Sequence, residues 1–134
     1  MSLRDKLRER ARPFLEPGEQ AQEVFQAQAG LPPYLANLPL FGALGALLFQ
    51  GAVIRRLIVV TDRAILLLDA DKMNGTKPKA LVRRLPRSTR IGPVRRGLPW
   101  APVQLDGSRL WVHMRYHPDV EAADAGAIPL SGAS

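Results

Sequence analysis

The sequence RRLIVVTDRAILLLDA, residues 55–70, has the clearest secondary-structure pattern in this chain. Two apolar runs rich in Ile, Val and Leu, residues 57–60 and 64–68, are separated by the polar tripeptide 61–63. Such a pattern is typical of a β-hairpin. Asp62 favours the turn because Asp tolerates turn backbone angles and can bond the backbone nearby. The stretch therefore predicts two strands at the centre of an antiparallel sheet.

Length and composition indicate one domain in a reducing compartment. The chain has 134 residues, enough for one hydrophobic core, and it contains no cysteine. Residues 1–10 are charged throughout, so they do not form the apolar part of a cleaved secretory signal. We expect a cytoplasmic protein, with peripheral attachment to the inner face of the cell membrane as a further option.

Periodicity divides the chain into three parts. Residues 1–13 predict an amphipathic helix, residues 14–125 form the domain with an apolar insertion at 30–52, and residues 126–134 are expected to be a disordered tail. Besides the hairpin, the pattern predicts strands at 20–29, 80–85, 91–98, 100–105 and 109–116, and a short helix at 119–125.

The net charge of +7 is concentrated in one segment. Residues 55–96 contain twelve Lys or Arg and three Asp, which gives this segment +9. A field of this sign attracts nucleic acid or anionic lipid headgroups. An ordinary solvated surface is the alternative.

The insertion is exceptionally apolar. Residues 24–54 contain no charged side chain, and 38–54 read LPLFGALGALLFQGAVI. As a helix, seventeen residues extend about 25 Å, short of the roughly 30 Å of hydrocarbon in a bilayer. The pattern favours a segment that lies in the membrane interface. The side chains expected to contact the membrane are Leu38, Leu40, Phe41, Leu44, Leu47, Leu48 and Phe49.

Other interpretations of the insertion stay open. It could fold back over an open end of the barrel, span the membrane as an anchor, or dock onto a protein partner, including a second copy of this chain.

Four arginines are candidates for anion or headgroup binding. Arg55 and Arg56 follow the insertion directly, where cationic side chains meet headgroup phosphates. Arg87 and Arg90 enclose two hydroxyl residues, a group able to hold a phosphate, although an exposed Arg/Ser turn is the alternative.

The last predicted strand has two different faces. The core face is expected to carry Leu110, Val112, Met114 and Tyr116. The other face carries Trp111, His113 and Arg115, a row that could stack on a base or bind an anion. Alternatively, the N-terminal helix covers Trp111.

Nothing in the sequence indicates catalysis. The chain has two histidines, His113 and His117, and neither has a carboxylate partner in sequence or the spacing of a metal site. We therefore expect no enzyme activity, no metal and no cofactor.

Several motifs together resemble a known family. They are the Pro-Gly-Glu turn at 17–19, VTDRAILLL at 60–68, the section from KPK to LPRSTRIG at 77–92, and LWVH at 110–113 followed by HPDVEAADA. This pattern is similar to small bacterial pleckstrin-homology-like (PH-like) proteins of the short actinobacterial type, over residues 14–125. The resemblance implies a bent, seven-stranded antiparallel barrel or roll closed by a C-terminal helix. The loop between the first two strands, 30–52, has no basic residue for inositol phosphates.

The sequence therefore favours a non-catalytic PH-like module that associates with an anionic membrane surface through the apolar insertion and its flanking arginines. The second hypothesis is a protein-interaction or homo-oligomerisation domain that uses the same insertion. Nucleic-acid binding by residues 55–96 ranks third, since few aromatic residues interleave the arginines.

Overall fold

Six antiparallel strands form one sheet in the computed structural model of the chain, which describes residues 3–30, 53–71, 77–94, 99–105 and 107–127. The strands are β1 (Ala21–Gly30), β2 (Val53–Thr61), β3 (Ala64–Ala70), β4 (Pro78–Pro86), β5 (Trp100–Leu105) and β6 (Ser108–His113). Two α-helices, α1 (Leu3–Ala11) and α2 (His117–Ala125), and two 3-10 turns, Arg12–Phe14 and Met114–Tyr116, complete the described elements. The strand order is β4-β3-β2-β1-β6-β5.

The mainly β class and the two short helices expected from the sequence are confirmed. The described residues hold six strands where seven were expected. The difference lies at 91–98: residues 91–94 are not a strand, and 95–98 lie outside the described residues.

Residues 91–94 leave the sheet because helix α2 takes their backbone donors. The amides of Ile91 and Gly92 donate to the two carboxylate oxygens of Asp124, at 2.7 and 2.8 Å. Pro93 follows and has no N–H to offer a neighbouring strand. Ile91 is buried in the main core, so the segment contributes its side chain to the core without extending the sheet.

The β2–β3 hairpin is buried on both faces. Ile58 and Val60 of β2 belong to the main core, whereas Leu57 and Val59 belong to a second core on the opposite face. Each lies opposite a buried residue of β3 in the register Leu57↔Leu68, Ile58↔Leu67, Val59↔Leu66 and Val60↔Ile65. Two-sided burial explains why the sequence of these strands is continuously apolar instead of alternating.

Each face of the hairpin has its own cover. On the inner face, α2 contributes Val120 and Ala123 to the main core, which also contains Phe25 of β1. On the outer face, α1 packs Leu7 and Ala11 against β1 and the hairpin. The N-terminal helix therefore covers part of the outer face of the sheet.

The turn of the hairpin joins the start of β1. Thr61 Oγ1 accepts bonds from the amides of Arg63 and Ala64, and so closes the turn locally. Asp62 instead reaches β1: its carboxylate accepts from the amide of Gln20 at 3.0 Å, and its own amide donates to the Gln20 carbonyl. The sequence predicted that Asp62 would bond the backbone of the turn. In the structure, Thr61 makes these bonds.

A buried carboxylate ties the turn to β4. The Glu19 side chain is fully buried and accepts two bonds from the Arg84 guanidinium, at 3.1 and 2.7 Å, with further bonds from Thr61 Oγ1 and the amide of Glu16. Gly18 positions Glu19, because its φ of +80° favours glycine. Burial alone raises the pKa of the Glu19 carboxyl, but these four hydrogen bonds outweigh burial and lower the pKa to about 2.

We expect this network to make stability fall in acid. The Glu19 carboxyl titrates near 4.5 when unfolded and near 2 when folded, so its contribution is present above pH 4.5 and is lost as the pH falls towards 2. Between pH 6 and pH 3, the free energy of unfolding should therefore drop by about 2 kcal/mol more in the wild type than in Glu19→Gln. Urea unfolding at the two pH values measures the difference.

Glu9→Gln provides the matched control for this prediction. Glu9 forms an exposed ion pair with Arg12 in the N-terminal segment, and exposed pairs contribute little to stability. This variant should keep the acid sensitivity of the wild type. Equal acid sensitivity in Glu9→Gln and Glu19→Gln would contradict the role assigned to Glu19.

Candidate functional site

The seven side chains predicted to contact a membrane lie outside the described residues. They are Leu38, Leu40, Phe41, Leu44, Leu47, Leu48 and Phe49. The described strands locate the two ends of this connection, which leaves β1 at Gly30 and enters β2 at Val53. Gly30 and Val53 are paired across the β1–β2 ladder.

The structure places the four candidate arginines in different surroundings. Arg55 lines a cleft on the outer face of the sheet. Arg56, its neighbour, points to the inner face and donates to Asp69 of β3 at 2.9 Å. Arg90 is exposed in the segment after β4.

Arg87 is buried and connects β4 with α2. Its guanidinium donates to the carbonyl of Ala123 at 3.1 Å and to Gln22 Oε1 at 3.2 Å. It also lies close to Gly126, where a Cβ would be 2.8 Å from Arg87 Nη2. Burial lowers the pKa of Arg87. These contacts give Arg87 a role in holding the end of α2, which sequence reasoning did not anticipate.

The cleft that contains Arg55 has a volume of about 190 Å³ and crosses four strands. Its lining residues are Gln26, Ala27, Gln28, Arg55, Trp100, His113, Arg115 and Tyr116, and we call it the outer-face cleft.

Strand register brings Gln26, Gln28, Arg55, Trp100 and His113 to one face, whereas Ala27 and Tyr116 also belong to the main core. Gln28 of β1 lies opposite Arg55 of β2 on one side and opposite Trp111 of β6 on the other. Trp100 of β5 lies opposite His113 of β6. Directly opposed residues of an antiparallel sheet share a face. The face is the one that α1 covers further along, because Gln26 lies opposite Leu57 of the outer core.

Three ring-bearing side chains, Trp100, His113 and Tyr116, line the outer-face cleft. The rings of Trp100 and His113 meet edge to face, with centroids 5.0 Å apart and an interplanar angle of 81°. The Arg115 guanidinium lies 6.0 Å from the centroid of the Tyr116 ring, within the range of a cation–π contact. Tyr116 is fixed in turn, since its hydroxyl donates to Gln26 Oε1 at 2.8 Å.

His113 is held in one orientation. Its Nδ1 accepts a bond from the amide of Arg115 at 3.2 Å, so the neutral ring carries its proton on Nε2. Burial lowers the pKa of His113, and the positive charge of Arg115 and the nearby His117 lower it further. His113 therefore adds a neutral imidazole to the cleft at pH 7.

The two faces predicted for the last strand occur with one exception. Leu110, Val112 and Tyr116 are buried in the main core. Met114 is wrong as a core residue: its exposure is 56 %, because β6 ends at His113 and a 3-10 turn replaces the strand period.

On the opposite face, His113 and Arg115 line the cleft and the half-buried Trp111 lies beside it. Among the described residues, Trp111 is not in the cluster packed around α1. Two members of the row predicted from the sequence, His113 and Arg115, are therefore part of a cleft.

Sequence reasoning missed five lining residues: Gln26, Ala27, Gln28, Trp100 and Tyr116. A signal for the glutamines was present, because Gln26 and Gln28 occupy alternate positions of β1. Polar residues repeated at this spacing can indicate a polar surface on one face of a strand. Placing that face beside Trp100 required the β1–β6 pairing.

The described residues contain neither a cluster of metal ligands nor a membrane-crossing helix. Within the described ranges, no three His, Cys, Asp or Glu side chains converge in a way that could hold a metal ion. No helix in these ranges has the length and apolar character needed to cross a bilayer. Comparison with family models, with curated proteins and with solved structures gives no match for this chain.

We expect the charge of Arg115 to be measurable at His113. In Arg115→Gln, the pKa of His113 should rise towards its ordinary value of 6.5, because a neighbouring positive charge no longer opposes protonation. Burial should keep the pKa below 6.5. The measurement is an NMR titration of the histidine ring resonances.

Arg63→Gln is the control with the same change of charge. Arg63 follows the end of β2 that is far from Val53. At 3.3 Å per residue, the strand separates it by about 26 Å from the point where the insertion joins β2. Its guanidinium donates to the carbonyl of Pro17. The His113 titration should be unchanged in this variant. An unchanged titration in Arg115→Gln as well would contradict the proposed coupling.

Proposed function

We propose that this chain is a non-catalytic binding module that associates with the cytoplasmic surface of a membrane through its apolar insertion and the arginine beside it. The observation that carries the proposal is the position of Arg55. It is the first charged residue after the insertion, and its side chain lines the outer-face cleft with Arg115 and His113. A cationic cleft is therefore adjacent, along β2, to the most apolar segment of the chain.

The two features have complementary energetic roles. Burial of apolar side chains in the headgroup and acyl boundary supplies most of the binding free energy. A Lys or Arg near an anionic surface contributes about 1 kcal/mol, and the field of residues 55–96 raises the rate of encounter. Arg55 is placed to act after encounter, because it is already positioned by the β1–β2 ladder.

The finer fold assignment belongs to the same proposal. A PH-like roll is supported by the four-strand meander β1 to β4, by the return of the β5–β6 hairpin to β1, and by the terminal helix α2 against the main core. The described residues contribute six strands to such a roll, one fewer than the seven expected.

Co-sedimentation with vesicles tests the membrane proposal. The wild type should pellet with vesicles of phosphatidylcholine and phosphatidylglycerol, and less with phosphatidylcholine alone. Phe41→Ser/Leu47→Ser/Phe49→Ser should lose binding at least tenfold, because three apolar groups no longer enter the interface. Arg55→Gln should lose about fivefold, which corresponds to about 1 kcal/mol.

Arg63→Gln is again the matched control, because it removes one exposed positive charge at the far end of β2. It should bind vesicles within twofold of the wild type. Equal pelleting of the wild type and the triple serine variant would overturn the proposal. A defined dimer without vesicles that the triple variant fails to form would favour the protein-interaction function instead.

A further inference from the structure

We propose that the outer-face cleft binds a small ligand of one chemical class, a monocyclic aromatic carboxylate. This inference goes beyond the proposed function and does not depend on it, because the site consists of described residues of the folded sheet and binds without a membrane. Its size, its charge and its ring-lined wall each limit the ligand.

The volume of the cleft fits one ring and a small substituent. A cavity of about 150 Å³ accommodates a benzene molecule, and the outer-face cleft measures about 190 Å³. The remaining space suits a group of a few atoms, such as a carboxylate. A nucleotide or an extended peptide is far larger than this volume and would leave most of its atoms outside.

The charge of the cleft selects an anion. Arg55 and Arg115 line it, and none of its described lining residues is Asp or Glu. A planar guanidinium matches the two oxygens of a carboxylate through paired N–H···O bonds. Nε2–H of His113 is a further donor, since Nδ1 of the same ring accepts the amide of Arg115. A neutral ligand of the same shape brings no negative charge to the two guanidiniums.

The wall of the cleft favours a flat ring over a bare ion. Trp100, His113 and Tyr116 contribute three aromatic rings among eight lining residues. The edge-to-face contact of Trp100 with His113 and the bond from Tyr116 to Gln26 hold these rings in fixed orientations. Fixed rings bind another ring by offset or edge contact without a large loss of side-chain freedom. Inorganic phosphate would engage the arginines but not this wall.

The test measures binding to the full-length wild-type chain without vesicles, with benzoate as the probe. Three analogues separate the contributions: benzamide removes the charge, acetate removes the ring, and cyclohexanecarboxylate removes the aromaticity. Calorimetry should show that benzoate binds at least tenfold more tightly than benzamide and at least fivefold more tightly than acetate or cyclohexanecarboxylate. In NMR spectra, benzoate should shift the His113 ring resonances.

Substitutions identify the site. Arg55→Gln and Arg115→Gln should each weaken benzoate at least tenfold, and Trp100→Leu about fivefold, whereas Arg63→Gln should bind it within twofold of the wild type. The binding of benzoate without vesicles separates the cleft ligand from the membrane contact.

The proposal is overturned if benzoate binds no more tightly than acetate or benzamide to the wild type, a comparison that does not depend on any variant folding. It is also overturned if inorganic phosphate binds more tightly than benzoate, or if Arg63→Gln weakens benzoate as much as Arg55→Gln does. None of these results affects the vesicle experiment, and loss of vesicle binding in the serine variant does not affect the benzoate titration.

Discussion

The β2–β3 hairpin is buried on both faces, and the two helices are arranged to bury it. A strand with apolar side chains on both faces needs a cover on each face, and one sheet cannot supply both. The chain uses α2 for the inner face and α1 for the outer face. Helix α1 has only nine residues, so it covers only part of the outer face. That part lies near Val24 and Val59. The outer-face cleft occupies a neighbouring part of the same face.

Polar groups fix the positions of these covers. Glu19 and Arg84 form an ion pair that joins the start of the domain to β4. Arg87 donates to the carbonyl of Ala123, and Asp124 accepts from the amide of Ile91, so both connect the segments around β4 with α2. The partners are distant in sequence, and a buried charge that lost its partner would be costly. The elements are therefore held in register by a few specific bonds in addition to apolar packing.

The sequence predicts the hairpin well because its information is local. The apolar runs and the turn of residues 57–68 determine strand, turn and strand without reference to any distant part of the chain. The bonds from Ile91 and Gly92 to Asp124 join residues more than thirty positions apart, so no local pattern separates that segment from an edge strand. The cleft also depends on contacts between distant parts of the chain. The sequence indicated the row of His113 and Arg115, but its partners on β1 and β5 follow from strand pairing.

The pairing of β1 with β6 has a consequence for dynamics. In the described residues, the register joins β1 to β2 at nine positions and to β6 at one, Gln28 with Trp111. This seam is where we expect hydrogen exchange to detect local opening first, since few ladder bonds protect it. Gln28 and Arg55 lie on one side of the seam, and Trp100 and His113 lie on the other. A molecule bound between them would contact both sides, and it would slow the separation of the β5–β6 hairpin from the other four strands.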